Sequence, residues 1–285
     1  MRILLTGASG CLGRAVRRVG ADKHEFVCVD VDTRGDADVH EGTFTDLALM
    51  RELMTGCDAL IHTAALHGGH RESHTPLQFT EVNVVGLQGL LELAVELGLQ
   101  RVAFSSSMEV LIGRVWDSSG MAVVDETTPP NPDWVYPLNK WQCEVLGQYY
   151  ARNHGLSFTA LRYMWFGDGP ELTPHLLARF VVPDDVARAN LLAVEKEGLA
   201  FNVLNIGPDT PLTNADIVQA VGDPAAVVDR HWPGASDALL KADVTLAHNY
   251  FWPVTRIERA RAVLGWQPQV SFANYLESIG WQPSE

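Results

Sequence analysis

Residues 2–13 read RILLTGASGCLG. An apolar run meets three glycines, Gly7, Gly10 and Gly13, spaced i, i+3 and i+6, and a helical periodicity follows. Strand, glycine turn and helix in that order restrict the chain to a small set of α/β folds. Glycine lets the backbone approach a pyrophosphate closely. The helix start behind it offers unpaired N–H groups and a partial positive charge. The alternation continues along the chain. EFVCVD (25–30), CDALIHTAA (57–65), RVAFSSS (101–107), LSFTALRYM (156–164) and FNVLNIG (201–207) read as strands. Helical patterns fall at 46–54, 82–98 and 138–153, with Gly98 placed as a C-cap. This predicts an α/β, Rossmann-type doubly wound parallel sheet with a small C-terminal substrate-binding region. The expected division puts the dinucleotide-binding domain at 1–166 together with 180–207. Residues 167–179 and 208–285 form the smaller region.

Asp30 closes the second strand. A carboxylate there accepts hydrogen bonds from ribose hydroxyls and repels a 2′-phosphate, which favours NAD over NADP. Arg34, four residues on, works against that preference.

The formal net charge is -14 at pH 7, which argues against nucleic acid or an anionic membrane as the main partner. No apolar run approaches the roughly 20 residues of a membrane span. The first residues reach Gly and Ser too early for a signal peptide. Cys11, Cys28, Cys57 and Cys143 are scattered and read as free thiols, which points to the cytoplasm.

The stretch WVYPLNKWQ (134–142) places Tyr136 and Lys140 one helical turn apart. Alone, Tyr-x-x-x-Lys is a weak pattern and a coincidence of spacing is an open reading. The rest of the chain supplies context. TGASGCLG (6–13), Asp46-Leu47, HTAALH (62–67), the stretch from Asn83, FSSSMEV (104–110), VDETTPPNP (124–132), LRYMWFGDG (161–169), RFVVPDDVARA (179–189) and LGWQPQVSF (264–272) occur in order. Together they resemble the extended short-chain dehydrogenase/reductases, the NAD-dependent epimerase/dehydratase group.

That resemblance implies a catalytic Ser107, Tyr136 and Lys140. It implies NAD contacts from Gly7, Gly10, Cys11, Leu12, Gly13, Asp30, Asp46, Leu47, Ala64, Ala65, Asn83, Ser105, Tyr136, Lys140 and Tyr163. It also implies a homodimer through a four-helix bundle built on helices 82–98 and 138–153. In chemical terms, a tyrosine titrates near 10, too high for a base at neutral pH. A neighbouring ammonium and a positive nicotinamide ring are expected to favour the phenolate.

The chain departs from the family pattern at several places. Pro137 follows Tyr136, and a residue before proline avoids the α region, so Tyr136 is expected at the start of its helix. Met108 stands where sugar-nucleotide dehydratases carry an acid, which disfavours that elimination chemistry. Glu109 reads as an acid/base, a hydroxyl binder or a structural carboxylate. Trp165 reads as a stacking platform or as core. The span from Gly169 to Phe180 is short for a nucleotide anchor, which points to a small substrate. His62 reads as structural. His67, His70 and His74 lie on a loop near the expected nicotinamide end, with His67 the candidate for substrate contact and no metal expected. The expected function is an NAD-dependent oxidoreductase or epimerase acting on a sugar-like or other small polar molecule. The alternatives are a nucleotide-sugar epimerase with retained NAD and a non-catalytic NAD-binding regulator.

Overall fold

The computed structural model describes residues 1–112, 123–164 and 172–283. Trp165, and parts of the loops at 117–133 and 167–174, lie outside the described residues. The strands are β1 (Arg2–Thr6), β2 (Glu25–Asp30), β3 (Val39–Glu41), β4 (Ala59–His62) and β5 (Arg101–Ser105). They continue with β6 (Val123–Val124), β7 (Ser157–Arg162), β8 (Phe201–Asn205) and β9 (Val254–Thr255). Seven of them form one sheet in the order β3-β2-β1-β4-β5-β7-β8, and β6 pairs with β9 in a separate ladder. Every pairing is parallel.

The helices relevant to the site are α1 (Cys11–Gly20), α2 (Leu47–Met54), α3 (Pro76–Thr80), α4 (Gly86–Glu96), α5 (Glu109–Ile112), α6 (Val135–His154) and α7 (Pro183–Glu195). Parallel strands need crossovers, and these helices supply them on both faces. The strand periodicity of two is visible in the packing. Ile3 and Leu5 face a core shared with Ala15 and Val16 of α1 and Val186 of α7. Leu4 faces the opposite core, shared with Met50 of α2, Leu90 of α4 and Cys143 of α6. Both faces are covered, so the strands are continuously apolar instead of alternating. A third cluster joins Leu176, Leu177 and Phe180 to Leu212, Phe251, Phe272 and Leu276 in the C-terminal part. The sheet order reverses at β1, between β2 and β4, and a crevice opens at the carboxyl ends of these strands.

The strand pattern at 25–30, 101–107 and 201–207 corresponds to β2, β5 and β8. β3 was not expected, because three residues are too few to show a period. The helix expected at 82–98 begins earlier. Thr75 caps α3 reciprocally with Gln78, and a π-helical turn at Glu81–Val85 joins α3 to α4. Gly98 has φ +74° just beyond α4, as a C-terminal glycine should. Pro137 lies in the first turn of α6, and Tyr136 sits at the N-terminal edge of that helix.

α6 lies close on the sheet at Gly147, where an added Cβ would overlap the ring of Phe158 on β7. Phe158 is fully buried and has no room to withdraw. Gly147→Ala is expected to destabilise the protein by about 1–3 kcal/mol through overpacking, even though alanine favours the helix. Urea unfolding of the variant, read at constant m-value, checks this; a stability at or above wild type contradicts it.

Candidate active site

A cavity of about 1160 Å³ fills the crevice. Its phosphate end is the turn between β1 and α1. Gly7 adopts φ +71°, and its N–H bonds to the Val29 carbonyl at 3.0 Å. A Cβ on Gly7 would come within 2.6 Å of Thr63 Oγ1, and one on Gly13 would overlap the Gly7 carbonyl. Only glycine allows this packing. Gly10 caps α1 without a side chain, which leaves the first N–H groups of the helix facing the cavity with Cys11, Leu12 and Gly13 on its wall. Ser9 Oγ is buried on that wall with no hydrogen-bond partner among the described residues. Ser105, at the far end, lies beside the Tyr163 hydroxyl. An orphaned hydroxyl, a helix N-terminus and a bare glycine turn fit a dinucleotide with its phosphates at α1. Asp30 lines the cavity, and its Oδ2 accepts the Ser9 N–H at 3.0 Å, so it braces the glycine turn. Arg34, at φ 52°, lies on the same wall.

Three expected cofactor contacts fall elsewhere. Asp46 caps α2, accepting the N–H groups of Ala48 and Leu49. Leu47 packs against the close-approach face of Gly89 on α4. The cavity wall after β3 is instead Gly42, Thr43 and Phe44. The reason is register: the short β3 ends at Glu41, so residues directly after it reach the crevice, and the acidic–aliphatic pair lies further on. Asn83 is buried behind the wall. Its amide accepts the Leu66 N–H at 2.8 Å and donates to the Leu66 carbonyl at 2.9 Å, which pins the loop after β4. That loop carries Ala64 and Ala65 to the cavity.

The opposite end gathers Ser107, Tyr136, Lys140 and Tyr163. Tyr136 lies beside Ser107, whose hydroxyl favours the phenolate. Lys140 is buried and donates from Nζ to the Ser105 carbonyl at 2.6 Å, with its charge 4.7 Å from the Phe104 ring centre and 5.6 Å from that of Tyr136. Burial pushes the Lys140 ammonium down to about 8. Burial, with Tyr163 and Glu109 nearby, pushes Tyr136 above the ordinary phenol range, and the Ser107 hydroxyl opposes this only in part. The ammonium is engaged with a carbonyl and not with the phenol oxygen. Glu109 is partly buried on the same wall. It accepts the Trp134 indole N–H at 2.9 Å, and burial raises its carboxyl above the usual range.

His67 also reaches the cavity wall. It forms a reciprocal cap with His70, each Nδ1 accepting a backbone N–H of the loop. Among the described residues no group of His, Cys, Asp and Glu side chains has the arrangement of a metal site. No described helix is long and apolar enough to cross a membrane. Ser106, which within the serine run reads as structural or cofactor-contacting, is on the wall. Met164 and Val82 are also on the wall and carry no signal in the sequence.

His62 lies behind the cavity floor, bonded to Thr6 Oγ1 at 2.7 Å and packed between Phe44 and Phe104. Burial, then the Lys140 charge, lowers its pKa to about 3. The unfolded chain protonates histidine near 6.5. The unfolded state therefore binds more protons between these values, and stability is lost as pH falls from about 6.5 toward 3. Melting temperature should decline through this window, and His62→Gln should flatten that part of the curve. An unchanged slope in the variant would refute the assignment.

Comparison with known proteins agrees with this geometry. The model of the NAD dependent epimerase/dehydratase family matches residues 3–182. A UDP-glucose 4-epimerase of Streptococcus mutans is 25% identical across 99% of this chain and 96% of that protein. An L-arabinose 1-dehydrogenase (NAD(P)(+)) of Haloferax volcanii is 27% identical across 78% of this chain and 94% of that protein. The crystal structure of a glucuronic acid dehydrogenase from Chromohalobacter salexigens superposes with a TM-score of 0.71 at 21% identity, covering 100% of this chain and 90% of that one. The last likeness is one of fold. The chain thus belongs to the NAD-dependent epimerase/dehydratase family and is an NAD-dependent enzyme of the extended short-chain dehydrogenase/reductase class.

Proposed function

We propose that the protein is a dehydrogenase that moves hydride between NAD and a secondary alcohol or carbonyl of a small sugar-like substrate, through Ser107, Tyr136 and Lys140. The observation that carries this reading is the convergence of the three side chains on one end of the cavity, with Tyr136 beside Ser107 and Lys140 one turn further along α6. NAD supplies the hydride acceptor and, when oxidised, a positive ring. Tyr136 takes the proton of the substrate hydroxyl as hydride leaves its carbon. Ser107 holds the reacting oxygen in line with the phenol. Lys140 holds the cofactor's ribose and adds positive charge behind Tyr136. A positive ring beside Tyr136 would favour its phenolate against the burial that raises its pKa. Glu109, with one oxygen engaged by Trp134, offers the other to a neighbouring substrate hydroxyl.

A small substrate is supported by the short connection after β7. A 3₁₀ turn at Pro174–Leu177 packs at once into the C-terminal cluster, and α7 starts at Pro183. The similarity to an arabinose dehydrogenase points the same way. The full-length similarity to a UDP-glucose 4-epimerase favours a second reading, in which NAD stays bound and hydride returns to the substrate. Asp30 on the cavity wall supports NAD as the preferred cofactor.

Tyr136→Phe should bind NAD with affinity close to wild type and lose turnover by at least about a hundredfold. NADH absorbance during a screen of free sugars, uronates and nucleotide sugars is the measurement. Full turnover in the variant sinks the mechanism. NAD that stays with the purified protein, with epimerised product and no net NADH, would select the second reading.

We also propose a homodimer. Leu138, Trp141, Val145 and Tyr149 form an exposed stripe along α6, and Val85 is exposed just before α4. A stripe of this size on one helix face suits a two-fold helix pairing. Light scattering at micromolar concentration should give twice the mass of the chain, and Val145→Glu should halve it. Monomer alone in the wild type removes the proposal.

A further inference from the structure

Tyr136, Lys140 and Glu144 stand at i, i+4 and i+8 on α6, on one helix face. Opposite them the chain leaves β5 as three consecutive serines, Ser105, Ser106 and Ser107. Each serine engages one member of the stripe. Ser107 lies beside Tyr136, the Ser105 carbonyl accepts Lys140 Nζ at 2.6 Å, and Ser106 Oγ donates to Glu144 Oε1 at 2.6 Å. The Glu144 carboxylate is also gripped from β7. Arg162 Nε donates to Oε1 at 2.7 Å and Nη2 to Oε2 at 2.6 Å. The side chains of this pair are only 4–5% exposed.

A buried ion pair is weak in net stability against an apolar pair of the same volume, and its hold on geometry is what distinguishes it. Here that hold falls on the middle serine, between the two that contact Tyr136 and Lys140. We infer that Glu144 is a positioning residue of the active site, which sets the register of the serine run against α6 and presents negative charge to Lys140.

The groups around Lys140 include Arg162 of β7, whose positive charge is ion-paired to Glu144. Burial lowers the Lys140 pKa; Cys143 and Glu144 on α6 oppose this. His62 of β4 and His67 after β4 lie within reach of its field and are held toward the neutral form. Glu144 is thus the carboxylate favouring the ammonium from the helix side.

This inference rests on the Ser-Tyr-Lys reading but is tested without turnover. ¹³C-lysine NMR, with the Lys140 signal identified by its absence in Lys140→Arg, follows the titration of that one amine. Glu144→Gln keeps an acceptor for Ser106 and removes the charge, and should lower the Lys140 midpoint by about one unit. A second variant combines Glu144→Leu with Arg162→Met, which fills the same space with apolar groups. It should stay folded by thermal melting and weaken NAD binding several-fold, because the serine run loses its anchor. A folded double variant with wild-type NAD affinity overturns the inference and leaves Glu144 a purely structural residue. If the double variant does not fold, an unshifted midpoint in Glu144→Gln overturns it equally. Failure of the Tyr136→Phe expectation would sink the catalytic reading while leaving the Lys140 titration free to decide this one.

Discussion

The site depends on how closely α6 approaches the sheet. Gly147 admits the Phe158 ring where any Cβ would collide, and this draws the helix down onto β5 and β7. At that distance Lys140 reaches a backbone carbonyl of β5, and Glu144 reaches Arg162 of β7. A helix standing one ångström further out would break both contacts, because a hydrogen bond stretched beyond about 3.5 Å has lost most of its strength. The same closeness strips water from the charged groups. It makes the polar seam costly unless every partner is in place, and the seam is correspondingly specific in geometry.

Desolvation also sets the chemistry. Burial pushes Lys140 toward its neutral form, His62 firmly to neutrality and Tyr136 toward the protonated phenol. The crevice thus disfavours the charged forms of these three groups. A charge in a poorly hydrated crevice acts more strongly than the same charge in water, so a positive ring beside Tyr136 would favour its phenolate. The cofactor end shows a parallel economy of parts. Asp30 faces the cavity and at the same time holds the Ser9 N–H, so the acid on β2 and the turn after β1 form one unit.

Much of this was legible in the residues. The glycine turn, the apolar strands and the acid at the end of β2 are local patterns, and local patterns survive folding. The start of α6 was legible for the same reason: Pro137 restricts Tyr136 by sterics that do not depend on the fold. What was not legible had no local signature. β3 and the β6–β9 ladder are two or three residues long, and pairing alone defines them. Asp46 and Leu47 carry the right chemistry for a cofactor wall, yet the end of β3 brings Thr43 and Phe44 there. Asn83 has a side chain suited to ligand recognition, and a backbone peptide of its own protein satisfies it.

By itself the sequence determined the class of the molecule: a parallel α/β sheet, a phosphate turn where only glycine packs, and a Tyr/Lys pair one helical turn apart. These follow from sterics and periodicity within a few residues. The tertiary structure decided which polar groups share a contact. It paired Glu144 with Arg162 and Ser106, and placed His62 beside the Lys140 charge. It also left the Ser9 hydroxyl buried on the cavity wall with no partner among the described residues. The physical reason is that hydrogen bonds and desolvation act over a few ångströms in space. Residues separated by dozens of positions enter that range only when the chain is folded.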